Sequence, residues 1–105
     1  MQLLTTELRQ SLPPFGTCED DEHALALVKF VTFDTTWTWY AAEFDGDDTF
    51  FGVVDGFEVE YGYFTLSELS NYRGVWGAPI LRDPAFVPKR LTEICRELRQ
   101  LRPIR

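Results

Sequence analysis

The chain is 105 residues long, with 45% apolar, 26% charged and 15% aromatic residues, the balance of a folded domain enriched in large rings and not of a disordered tail. At roughly 100–200 residues per domain, residues 1–105 are expected to form a single domain around one core. Seventeen Asp and Glu against ten Lys and Arg leave a net charge of −7, which disfavours direct contact with a nucleic-acid backbone. The start lacks the basic, apolar and small-residue regions of a secretory signal, and no apolar run approaches the roughly 20 residues that cross a bilayer. A cytoplasmic location away from membranes is therefore expected, with Cys18 and Cys95 as free thiols.

Thr5 or Thr6 can accept from the first amides of a short helix whose Leu4, Leu8 and Leu12 recur at helical spacing before Pro13-Pro14 stops it. Residues 16–24 carry four consecutive acids without periodicity and read as a solvated loop. Four segments rich in Val, Thr, Phe, Trp and Tyr follow, Leu27–Phe33, Thr36–Phe44, Thr49–Val54 and Phe57–Thr65, separated by Asp- and Gly-containing turns. They predict a four-stranded antiparallel sheet. Thr65-Leu-Ser-Glu68 is a capping box that opens a short helix with Leu66, Leu69 and Tyr72 before Gly74. Residues 74–88 read as a turn-rich loop anchored by Trp76, Ile80 and Phe86. From Leu91 the stripe Leu91, Ile94, Cys95, Leu98 and Leu101 predicts an amphipathic C-terminal helix packed on one face of the sheet, with Arg90, Arg96, Arg99 and Arg102 on its other side. The expected class is α+β.

A two-residue turn at Asp55-Gly56 would pair Val54 with Phe57, Gly52 with Val59 and Phe50 with Tyr61; the preceding turn would pair Phe44 with Thr49 and Trp39 with Val54. Alternation from these registers gathers Trp37, Trp39, Ala41, Phe50, Val54, Phe57, Val59, Tyr61 and Tyr63 on one face, the natural core. Tyr40, Ala42, Phe44, Phe51 and Val53 gather on the other beside Glu58 and Glu60, a face that is both ring-rich and acidic. Charge is also divided along the chain. Residues 1–65 hold thirteen acids and two bases, and residues 66–105 hold four acids and eight bases. A basic helix docked beside an acidic sheet would partly neutralise that division; an acidic surface left open to a partner is the alternative.

Nothing in the chain specifies a reaction. His23 is the only histidine and lies in the acidic loop, and no Ser or Cys nucleophile motif accompanies it. One His and two separated Cys give no zinc spacing. Asp45-Gly-Asp-Asp48 resembles a calcium loop only at its first and third positions, because Phe50 and Gly56 stand where Gly and Glu are required. Glu58 and Glu60, about 7 Å apart along an extended strand, are the spacing of any half-exposed strand. No phosphate-cradling glycine motif is present. Lys29 is the only base between residues 10 and 72, so Trp37 and Trp39 read as core and not as base-stacking rings. No catalytic residue, metal or cofactor is expected.

Leu3-Leu-Thr, Leu12-Pro-Pro, Val28-Lys-Phe, Trp37-Thr-Trp-Tyr40, Phe50-Phe-Gly-Val-Val-Asp-Gly-Phe57, Gly62-Tyr-Phe-Thr-Leu-Ser-Glu-Leu69 and Arg73-Gly, in this order over nearly the whole chain, resemble the bacterial domain-of-unknown-function family numbered 2958. The resemblance implies a small intracellular bacterial or phage protein, often carried by mobile elements near anti-restriction and conjugation genes. It implies no activity and no catalytic residues. Three functional expectations follow. The first is a non-enzymatic binding protein whose acidic, ring-bearing face, made of Tyr40, Phe44, Asp45, Asp47, Asp48, Phe51, Glu58 and Glu60, contacts a basic, nucleic-acid-processing protein partner in the manner of a DNA mimic. The second is self-association through Tyr40, Phe44, Phe51 and Val53, and the third a metal-dependent enzyme using the acidic loops.

Overall fold

In the computed structural model, which describes residues 2–18 and 20–101, Thr5 caps the first helix, α1 (Thr6–Ser11), by accepting from the Leu8 N–H at 3.2 Å. Buried Leu4 and Leu12 flank that turn and a half, and Leu8 packs between them against the sheet. Seven strands follow: β1 (Leu25–Ala26), β2 (Val28–Val31), β3 (Thr38–Phe44), β4 (Thr49–Asp55), β5 (Val59–Thr65), β6 (Leu81–Arg82) and β7 (Lys89–Arg90). Helix α2 (Leu66–Asn71) leaves β5 through the expected capping box, Thr65 and Glu68 bonding each other's backbone amides. Helix α3 (Leu91–Leu101) continues directly from β7 and buries Leu91, Ile94 and Cys95. Arg102 lies outside the described residues.

The fold is α+β with antiparallel pairing, but the main sheet has five strands, in the order β5-β4-β3-β2-β6, and β1 pairs with β7 in a separate ribbon. The expected four strands are its longer members; β2, β3 and β5 begin one or two residues later than the sequence suggested, and β4 begins at Thr49 as expected and runs one residue further, to Asp55. Both additional pairs use two-residue strands from the segment after Ile80, too short for any alternation to show. That segment is thus partly extended rather than a simple loop. Ile80 is buried and Phe86 packs 5.8 Å from the Tyr40 ring, whereas Trp76 anchors nothing and stands almost wholly in solvent.

Two register differences rearrange the faces. The turn after β4 has three residues, Gly56 to Glu58, closed by the Asp55–Val59 pair, so Phe50 opposes Phe64 and Val53 opposes Tyr61. A shift by an odd number reverses every side chain of a strand. Val59, Tyr61 and Tyr63 therefore leave the expected core face, Phe57 becomes a turn residue, and Glu60 changes sides. Within β3 the pairing Trp39–Val54 is as expected, but a bulge between Ala41 and Glu43 makes Phe44 oppose Phe50. Gly52 accommodates the close approach there, since a Cβ would lie 1.7 Å from the Tyr40 carbonyl oxygen.

The result is one sheet with two cores. Phe30, Ala41, Phe44, Phe50 and Phe64 pack beneath α1 and α2 with Leu4, Leu12 and Leu69. Tyr40, Ala42, Phe51, Val53 and Val59 pack beneath α3 and the ribbon with Leu91, Ile94 and Cys95. The single expected core is corrected accordingly. The basic half meets the acidic half through carbonyls: Arg99 donates to the Val59 oxygen at 3.1 Å and Arg90 to the His23 oxygen at 2.8 Å.

Phe50→Ala empties a wholly buried site and should cost about 3–5 kcal/mol, whereas Phe57→Ala, at an exposed turn, should stay within about 0.5 kcal/mol; urea unfolding of both variants checks the observed register against the expected one. Burial of Tyr61, with a hydrogen bond to Cys95, pushes its phenol up to about 12 from an ordinary 10. Because the unfolded phenol loses its proton first, the Tyr61 contribution is complete below pH 10 and fades as pH rises towards about 12. Alkaline unfolding of Tyr61→Phe should lack that component.

Candidate functional site

The eight expected contact residues do not share a surface. Tyr40, Phe44 and Phe51 are buried, Tyr40 and Phe51 in the core under α3 and Phe44 in the core under α1 and α2. Their rings are covered by the protein's own helices. Asp45, Asp47 and Asp48 occupy the turn from β3 to β4, while Glu58 lies in the turn from β4 to β5 and Glu60 beside it on β5. Those turns sit at opposite ends of β4, about 20 Å apart at strand rise, so the acids form two groups.

The first group is used by the fold. The Asp45 Oδ1 accepts the N–H groups of Asp47, Asp48 and Thr49 at 2.8, 2.9 and 3.1 Å. These bonds, Asp47's foremost, hold its carboxyl below the ordinary carboxylate range. Asp48 accepts from the N–H and hydroxyl of Ser67 at 2.9 and 2.6 Å, tying the turn to α2. Asp47 is exposed. Among the described residues, no three His, Cys, Asp or Glu gather as metal ligands, here or elsewhere.

The second end carries the rings. Trp37, in the connection from β2 to β3, stands 6.1 Å from the Trp39 ring and meets Phe57 edge-on at 5.1 Å. Its ring lies flat against Gly56, where a Cβ would come within 2.6 Å of it. Trp37, Trp39 and Tyr72, with Thr32 and Thr35, line an open cavity of about 290 Å3. Trp39 is partly buried and packs against the core under α1 and α2, as its reading as core expected, whereas Trp37 belongs to neither core and its reading is corrected. Phe57 is 85% exposed and Phe33 beside the same loop nearly as much.

Asp34 joins that loop to the segment after α2. Its carboxylate accepts from the Tyr72 hydroxyl at 3.3 Å and from the Val75 N–H at 2.7 Å. The next residue, Trp76, has φ 63°, in the left-handed region where a bulky side chain is an outlier, and is 98% exposed. Asp34 therefore holds the start of a turn that displays an indole. The Tyr72 phenol is raised above its ordinary value by burial, then by the charge of Asp34 and the hydrogen bond to it.

Sequence periodicity places Trp39, on β3, but could not have found the exposed rings of this end, because Trp37, Phe57 and Trp76 come from three different turns. The nearest signal was the crowding of Trp37, Trp39 and Phe57 beside Asp-rich turns. Asp34→Asn should bring the Tyr72 phenol down towards its ordinary value, read by phenolate absorbance, and shift the Trp76 emission as the turn loosens.

A family model described as "Protein of unknown function (DUF2958)" matches residues 3–101. No curated protein and no solved structure matches the chain. Among the described residues no helix is long and apolar enough to cross a membrane.

Proposed function

For a chain that belongs to the DUF2958 family, we propose a non-enzymatic role as a binding module, whose ring-bearing end takes a basic protein partner. The observation that carries this reading is Trp76, fully displayed from a left-handed backbone position that Asp34 helps to hold. Backbone strain of this kind persists where the surrounding structure enforces it, and it clusters at sites of recognition. Exposed Phe57 and partly buried Trp37 and Trp39 stand at the same end of the sheet. Trp and Tyr dominate the energetics of protein interfaces, where their rings remove large areas from water at little entropic cost.

Charge supplies the choice of partner. Glu58 and Glu60 are exposed next to Phe57, Asp34 accepts from the Tyr72 hydroxyl and the Val75 N–H, and the chain carries a net −7. Such a surface steers towards basic proteins and away from nucleic acid. The partner in this reading is a host defence or nucleic-acid enzyme, restriction or CRISPR machinery included. The carboxylates at Glu58 and Glu60 enter its phosphate-binding groove as a DNA mimic would. The protein acts in the cytoplasm on behalf of a phage or mobile element, the setting implied by the family resemblance.

Affinity capture from the producing host, with the captured protein identified, tests the assignment. The double variant Phe57→Ser/Trp76→Ser should lose most of the captured basic protein, since truncating an aromatic anchor costs about 2 kcal/mol or more, roughly 30-fold in affinity. Glu58→Gln/Glu60→Gln should weaken capture and its salt dependence together, while Asp47→Asn at the opposite end should change neither. Capture that survives the ring substitutions overturns the site. A concentration-dependent dimer of the native protein that the ring substitutions dissociate would assign the surface to self-association instead.

A further inference from the structure

The bulge in β3 that brings Phe44 into the core under α1 and α2 turns Glu43 to the opposite face, across from Phe51. Glu43 is only 2% exposed. It lines a cavity of about 370 Å3 between the segment before β1 and the β1–β7 ribbon, walled by Pro13, Cys18, Leu25, Leu27 and Arg90. Bulges re-aim side chains in this way next to functional sites.

The carboxylate is poorly compensated. Among the described residues its one hydrogen bond comes from the Cys18 N–H to Oε2 at 3.4 Å, beyond the usual range for this type. Among them, too, no Lys, Arg or His pairs with it: the ion pairs are His23–Asp20, Lys29–Asp83 and Lys89–Glu97. Arg90, on the cavity wall, is exposed and directs Nη1 to the His23 carbonyl at 2.8 Å. A buried carboxylate in these surroundings is costly unless a cation joins it or it takes up a proton.

We propose that this cavity binds a small organic cation, an amine or guanidinium, with its charged group on Glu43 and its apolar body against Leu25 and Leu27. A charge-assisted hydrogen bond is about twice as strong as a neutral one, and it answers the deficit at Glu43. Leu25, Leu27 and Pro13 supply an apolar part of a wall that also carries Thr17, His23 and Arg90, and the volume falls within the roughly 300–1,000 Å3 of small-ligand pockets. A metal ion fits less well, because Glu43 has no set of His, Cys or acid partners around it among the described residues. The site is separate from the ring-bearing end and stands or falls independently of it.

Amide-resolved NMR titration of the intact chain tests the proposal, with butylamine and agmatine as probes, butanol as neutral control and magnesium chloride as the metal arm. Saturable shifts at the amides of Cys18, Ala42 and Glu43 are expected with both amines, at least tenfold weaker with butanol, and lost in Glu43→Gln. Leu25→Trp narrows the cavity from an exposed wall position and keeps the carboxylate, so it should also abolish the shifts; it carries the test if Glu43→Gln does not fold. Equal response to butanol and butylamine, binding that persists in a folded Glu43→Gln, magnesium saturating the same amides, or no saturable shift with either amine would each overturn it.

Discussion

Strands β3 and β4 carry large apolar side chains on both faces, and both faces have to be kept from water. Phe44 and Phe50 point one way, Tyr40, Phe51 and Val53 the other. Burying each such side chain is worth about 1.5–3 kcal/mol relative to exposure, so neither face can stay bare. The chain answers by dividing its remaining apolar residues. Its first helix and α2 cover one side; the ribbon and α3 cover the other. A protein of 105 residues thereby builds two thin cores in place of one thick one, and each connection is placed by the need to reach the correct side.

Much of this was legible in the sequence. Local signals with their own chemistry were read where they stand: a cap at Thr5 or Thr6, which the structure places at Thr5, the Thr65–Glu68 box, the stripe Leu91, Ile94, Cys95 and Leu98, and the long strands between Asp-Gly turns. Register was not legible. Asp55-Gly56 has the composition of a two-residue turn, but packing of Phe64 opposite Phe50 selects a three-residue turn and reverses β5. The bulge after Ala41 has no signature of its own either. It shows only in its consequences, Phe44 packed 4.7 Å from Phe50 and Glu43 sent to the other side. Local propensity decides that a strand exists; the contest between the two cores decides which way it faces.

The same reasoning explains how the expected contact surface dissolved. Rings assigned to an outer face by alternation were claimed by α3 or by the bulge, and the acids beside them were assigned to one surface although they belong to turns at opposite ends of β4. What remained exposed came from connections. Trp37, Phe57 and Trp76 lie in three different turns: Gly56 lets the Trp37 ring close on the turn that carries Phe57, and Asp34 ties the connection after β2 to the turn that carries Trp76. Their assembly is a tertiary fact, and so is the charge setting in which they stand.

The β1–β7 ribbon joins Leu25 to Arg90 and Ala26 to Lys89, so the cover over Tyr40, Phe51 and Val53 is assembled from pieces more than sixty residues apart. During synthesis the five aromatic and aliphatic side chains under α3 have nothing to shelter them until residues 91–98 have left the ribosome. Helices α1 and α2 can close their own side earlier, since every residue they pack is made by Ile80. A sheet covered on only one side exposes Tyr40, Phe51 and Val53, the kind of apolar surface that makes an incompletely folded chain prone to aggregate until the ribbon and α3 close over it.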